Sequence, residues 1–239
     1  MERNTSRKGF EDGPEVCRDS RNEGPHSRTE AGPIRAPLLH NLYALNRRYL
    51  DILIAAPSAK GTTEARRDRN LPESVRCSLG VLHDADLHAL AQCPYTLFDF
   101  AFHEPHLWRS QRLRGQEIFD GFEGAGSKLE FARAALYFVW HAARIDVMFA
   151  RFAFGMCAEV TRAVTELSVT NVACIASESM EHLAPRWPTN PCFWPDLIRF
   201  AAVESRLPAA KLLGCQLLAA DRVGAVAAAA KKPTAAVRQ

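Results

Sequence analysis

The chain has 239 residues, 47% of them hydrophobic, which is enough for a sizeable core in one or two small domains. A formal net charge of +3 is too small to imply nucleic-acid binding by itself. Glu2, Arg3, Arg7 and Lys8 precede no apolar run, so no secretory signal is expected. The most apolar region, 131–160, is interrupted by Arg133, Arg144, Asp146 and Arg151, so no membrane span is expected either.

Residues 1–36 are rich in Arg, Glu, Asp, Gly, Pro and Ser and nearly free of aliphatics. Such a segment cannot offset its ordering entropy, and a disordered tail is expected over 1–36. From Pro37 the pattern changes. Leu38, Leu42, Leu45, Tyr49, Ile52 and Leu53 fall at helical spacing and predict a helix ending before Pro57. A polar connection with Gly61 and several arginines fills 57–70.

The central feature of the sequence is a pattern that occurs twice. Met156, Val160, Val164, Leu167, Val172 and Ile175 form two successive apolar stripes, with Ser168 placed to cap the second helix. Subtracting 85 gives Leu71, Val75, Leu79, Leu82, Leu87 and Leu90, all apolar, each series followed by Ala (Ala91, Ala176). Each copy closes with a Pro-x-(Leu/Phe)-Trp element, at Pro105–Trp108 and Pro191–Trp194. Any two amphipathic helices can be slid into register. The matched closure favours an internal duplication instead.

The predicted organisation is a first helical repeat over 37–114, a Gly-rich linker at 115–128, a second repeat over 129–221 and an Ala-rich tail at 222–239. Within the second repeat a single helix is expected from Leu129 to about Phe154, apolar all round at Leu136–Trp140. Further helices are expected at Pro195–Ser205 and Pro208–Asp221. Thr96–Phe102 alternates and suggests a brief extended piece. The fold class is all-α, two tandem helical repeats packed as a pseudo-two-fold pair. A Gly-rich linker over 115–128 reaches about 20 Å root-mean-square, enough for the units to pair within one chain. The expected state is mostly monomer with an internal pseudo-dimer.

Several of these residues resemble the bacterial flagellar transcriptional regulator FlhD family. Leu42-Tyr43-x-Leu45-Asn46-x-x-Tyr49-Leu50 resembles that family's first helix. Phe152-Ala153-Phe154-Gly155-Met156 looks like its apolar-Gly-apolar turn, and Leu167-Ser168, Val172, Ile175 and Ala176 keep the spacing that follows. In the first half, Leu90-Ala91 leads to Phe100-Ala101-Phe102, similar to a Phe-x-Phe segment of the family. The likeness spans roughly 38–198, as two copies of a unit that the family carries once. It implies a helical, dimeric subunit of a transcriptional activator that works with a second, zinc-binding subunit; a cytoplasmic location is expected by default, and DNA contact only indirectly through a DNA-binding partner. Two departures stand out. Phe98 and Leu183 occupy the positions of the family's dimer-bridging cysteine, and His103 replaces the acidic residue after Phe-x-Phe.

A DNA-reading helix needs Arg, Lys, Asn or Gln aimed at bases and phosphates. Residues 168–183 and 83–98 contain no Lys or Arg and carry Glu178, Glu181, Asp84 and Asp86, so neither is a good reader. Arg66, Arg67, Arg69, Arg109, Arg112 and Arg114 are the candidates for phosphate contact, solvated loops being the alternative. His83, His88, His103 and His106 could gather around a metal, but Pro105 interrupts them and the second copy lacks them. Seven scattered cysteines without C-x-x-C spacing suggest buried thiols. No catalytic motif is present, and neither enzymatic activity nor a cofactor is expected. Trp108 and Trp194 read first as core residues closing each repeat, and second as a partner interface. The two functional expectations are an FlhD-like regulatory subunit acting through a protein partner, and a helical adaptor or scaffold with no DNA role.

Overall fold

The computed structural model describes residues 32–56, 71–108, 127–203 and 205–230. Their regular structure is almost entirely helical, with two strands of two residues each. Helix α1 (Gly32–Ala55) buries Leu38, Leu42, Leu45, Tyr49, Leu50 and Leu53 on one side. It starts earlier than expected, so 32–36 belong to the helix rather than to a tail. Pro33 occupies the first turn, where no donor is required. Pro37 forgoes only one hydrogen bond, close to the helix start.

Helices α2 (Glu73–Gly80) and α3 (Asp84–Ala91) follow, burying Leu79 and then Leu87, Leu90 and Ala91. The loop after α3 is held by Asn46 of α1, which is fully buried. Its amide donates to the carbonyls of Ala91 (3.1 Å), Cys93 (3.4 Å) and Tyr95 (2.9 Å), and its oxygen accepts from the Leu97 amide (2.9 Å). The buried backbone groups of an irregular loop are thus satisfied by one side chain. The loop delivers the chain to strand β1 (Phe98–Asp99) and then to a helical turn at 105–108.

The expected helix over 129–154 is two helices, α4 (Ser127–Ile145) and α5 (Val147–Ala153). Asp146 lies at the break in extended conformation, and its carboxylate accepts from the Phe149 amide at 2.8 Å. An Asp that caps a new helix competes with continuing the old one. The start of α4 also takes Ser127 and Lys128 out of the expected linker.

Helices α6 (Ala158–Thr165) and α7 (Val169–Glu178) come next, the second opening with a reciprocal capping box between Ser168 and Asn171. A 3₁₀ turn (Ser179–His182), strand β2 (Ala184–Pro185) and helix α8 (Phe193–Arg199) follow. Helix α8 begins two residues before Pro195 and ends well before Ser205. Asn190 accepts from the Cys192 and Phe193 amides at its start. Helix α9 (Leu207–Ala230) runs beyond Asp221 into the alanine-rich stretch assigned to a tail, where alanine's low cost in a helix favours continuation.

The starts of α2 and α3, at 73 and 84, differ from those of α6 and α7, at 158 and 169, by 85 in both cases. The strands, starting at 98 and 184, differ by 86. β1 pairs antiparallel with β2, Phe98 opposite Pro185 and Asp99 opposite Ala184. Side chains from α1, β1, α4, α5, α7 and α8 share one hydrophobic core. Phe98 links its parts, with its ring 5.4 Å from Tyr49 and 5.0 Å from Phe131. No described helix is long and apolar enough to cross a membrane.

Candidate functional site

The densest polar arrangement in the described residues surrounds the β1–β2 bridge. Arg186, directly after β2, is buried. Its Nε donates to Thr96 Oγ1 at 3.0 Å and its Nη2 to the Phe154 carbonyl. Its main-chain amide donates to Leu97 O (3.0 Å), and its carbonyl accepts from the Trp194 indole (2.7 Å). Asp99 Oδ1 lies 3.8 Å from the guanidinium, and Asp99 Oδ2 lies 3.6 Å from His103 Nδ1. Oδ1 also accepts from the Phe102 amide at 3.2 Å.

Electrostatics follow from these contacts. Burial pushes the Asp99 carboxyl up, but the His103 contact, the Arg186 charge and the Phe102 amide together hold it below its ordinary value. His103 is raised, first by its contact with the Asp99 carboxylate. Burial lowers Arg186, with Asp99 and Asp221 opposing that effect. A buried guanidinium is tolerable because fixed acceptors replace its water.

Gly155 makes room for the same arginine. It sits at φ +65°, and a Cβ there would lie 2.9 Å from Arg186 Nη1 and 2.8 Å from a Leu218 methyl. Glycine meets both the left-handed turn and the close approach. The arrangement ties α5, the loop before β1 and the segment after β2 into one network. It contains no nucleophile set beside a base, and its main-chain acceptors are engaged by protein donors.

Trp108 and Trp194 are both buried, 3% and 1% exposed. The Trp108 indole donates to Ala101 O (3.2 Å) and its ring stacks on Phe102 at 5.6 Å. Trp194 donates to Arg186 O and packs edge-on against Phe193 at 5.6 Å. Neither indole has exposed surface for a partner, so the interface alternative gives way to the core reading. Ala101 and Trp187, at or beside the two acceptors, are the non-glycine residues with positive φ in the described structure, at 55° and 45°.

The histidines do not converge. His103 and His106 reach Glu104 at 3.6 and 3.5 Å, while His83 stands at the start of α3. No group of three or more His, Cys, Asp or Glu side chains is placed to hold a metal among the described residues. Cys93 is buried and its thiol is pushed up to about 12, chiefly by burial, which makes it a poor nucleophile at neutral pH. Arg66, Arg67, Arg69, Arg109, Arg112 and Arg114 all lie outside the described residues.

Sequence reasoning missed Asn46, Asp99 and Arg186 as organising residues. Asn46 carried a usable signal, because it lies four positions after Leu42 on the buried stripe of α1. Arg186, within Ala-Pro-Arg-Trp-Pro, carried none, since its guanidinium partners, Thr96, Asp99 and the Phe154 carbonyl, all come from distant segments. No family model, no curated protein and no solved structure matches the chain.

Proposed function

We propose that the chain is an FlhD-like transcription-regulatory subunit that works through a protein partner rather than by reading DNA alone. The observation that carries this reading is the register of the β1–β2 bridge. With an offset of 86, Ala184 is the counterpart of Phe98 and Pro185 of Asp99. The pairs Phe98–Pro185 and Asp99–Ala184 therefore interchange when the two copies are exchanged. Such self-complementary pairing is what a two-fold interface would make. Here it lies within one chain, as though a dimeric subunit had been joined end to end. Phe98 lies on one of these strands and Leu183 immediately precedes the other; the resemblance matches both to the family's dimer-bridging cysteine, although the strand offset of 86 sets Ala184, one residue beyond Leu183, as the counterpart of Phe98. The apolar pair is the substitution that a covalently tethered dimer tolerates, because the linker already holds the copies together.

Dependence on a partner rests on charge. In α3 and α7, the second helices of the two units, the charged residues are Asp84, Asp86 and Glu178. Phosphate would repel both helices. The test is affinity capture of the tagged chain from its host, with captured material assayed for zinc and for sequence-specific DNA retention. A zinc-containing partner that brings specific DNA binding supports the reading. Partners with neither property would favour the adaptor or scaffold.

A further inference from the structure

The turn between α4 and α5 exposes an apolar face for which the fold itself has no use. Ile145, Val147, Met148 and Phe152 are 46%, 46%, 58% and 42% exposed. Phe149, Ala150 and Ala153 of the same short helix are buried, so α5 is apolar on its inner and outer sides alike. Met148 and Phe152 are four residues apart on α5 and share a face, and Ile145 ends α4 just before the break. Large side chains gathered outside the core mark an interaction surface more often than chance exposure does.

The charges around this face define what fits it. Arg144 and Arg151 flank Met148, four positions before it and three after. Arg144 lies over the Trp140 ring at 5.0 Å, and the Arg151 Nε is buried without a hydrogen-bond partner. Neither forms an ion pair with a described residue. The carboxylate within this stretch, Asp146, is already engaged by the Phe149 amide and by Arg35 Nε at 3.0 Å. Arg35, Arg144 and Arg151 thus stand against Asp146, leaving excess positive charge around an apolar centre.

We propose that this face docks an acidic amphipathic helix of a partner protein, its apolar side on Met148 and Phe152 and its carboxylates on Arg144 and Arg151. A second copy of the chain is a poor occupant, since two-fold pairing through this face would set the arginines against their own counterparts. A lipid surface is also a poor occupant. Helix α5 is only about 10 Å long and offers too little apolar area to hold a chain of this size at a membrane. A docked amphipathic helix presents apolar anchors three and four residues apart, which can meet Met148 and Phe152 along one side. The face is argued from its own residues and does not depend on a role in transcription.

The experiment is a fluorescence-anisotropy titration of the full chain against a short labelled helix with Leu on one face and Glu on the other, and against the same helix with Lys for Glu. The acidic helix is expected to bind, more weakly as salt rises, and the Lys version not to bind. Met148→Ser and Phe152→Ser are expected to lower affinity about tenfold each. Arg151→Glu should weaken the acidic helix and admit the basic one. Arg144→Glu, at an exposed residue, gives the same reading should Arg151→Glu disturb the fold. Equal binding of both helices, no binding of the acidic one, or affinity unchanged in all four variants would overturn the proposal. So would a self-association abolished by Met148→Ser, or binding to anionic vesicles in place of the peptide. A chain that binds the peptide but captures no zinc-containing partner refutes the transcriptional reading and leaves the docking face standing.

Discussion

Gly214 illustrates how tightly single positions are determined. A Cβ at Gly214 would lie 2.0 Å from the Tyr95 hydroxyl and 2.2 Å from its ring carbon. Tyr95 is fixed there because its hydroxyl donates to Lys211 O at 2.9 Å and its ring packs edge-on to Trp187 at 5.9 Å. Gly214→Ala is expected to destabilise the protein by about 3 kcal/mol through overpacking, read as a lowered thermal midpoint. Tyr95→Ala in the same chain should then cost less than it does alone; strictly additive losses would contradict the clash. The Asp99–His103 pair makes a second prediction. Asp99 is depressed, so its contribution is present above about pH 4 and is lost as pH falls through its folded value. His103 is raised, so its contribution is complete below about pH 6.5 and is lost as pH rises through its folded value. The pair therefore stabilises most between about pH 4 and 6.5. The wild-type melting temperature should fall more between pH 6 and 8 than that of His103→Ala. The difference should be small because the imidazole is largely exposed, and parallel pH profiles would remove His103 from the account.

Among the elements, those with a local cause were legible in the sequence. The stripe of α1 and the Ser168 cap of α7 declare themselves through side chains three or four residues apart. The division of α4 from α5 was not read, although its cause is local, because Asp146 interrupts an otherwise continuous apolar pattern with one residue. The true start of α1 was hidden by Pro33 and Pro37, which usually end helices and here lie within the start of one. Least legible were β1 and β2. A strand of two residues has no period to detect, and its partner lies more than eighty residues away. The two buried tryptophans belong to this scale, since each donates its indole to a nearby carbonyl, Trp108 to Ala101 and Trp194 to Arg186. Trp108→Ala and Trp194→Ala are each expected to cost about 3–5 kcal/mol, the range for truncating a buried aromatic. Thermal melts measure both. Unchanged midpoints would place the indoles outside the packing that sustains the fold.

At the scale of the molecule, helical class followed from periodicity, but the network at Arg186 depends on Thr96, Asp99, Phe154 and Gly155 arriving together from separate segments. No local pattern announces such a convergence. Two expectations concern the chain as a whole. The first is that the pure protein binds duplex DNA weakly and without sequence preference, because the charged residues of α3 and α7 are carboxylates. A fluorescence titration at physiological salt measures it, and tight sequence-specific binding by the chain alone would sink the requirement for a partner. The second is the state of assembly. The β1–β2 bridge and the aromatic contact of Phe98 with Phe131 are made within one chain. A tether between the units gives them an effective concentration in the millimolar range, far above that of a separate molecule in dilute solution. Exchange of units between two chains would reproduce the same bridge, so geometry alone permits a swapped dimer, and dilution is what disfavours it. Light scattering coupled to gel filtration should therefore give a mass near 26.5 kDa that does not change with loading. A mass twice as large that persists on dilution would mean that the two units pair between chains rather than within one.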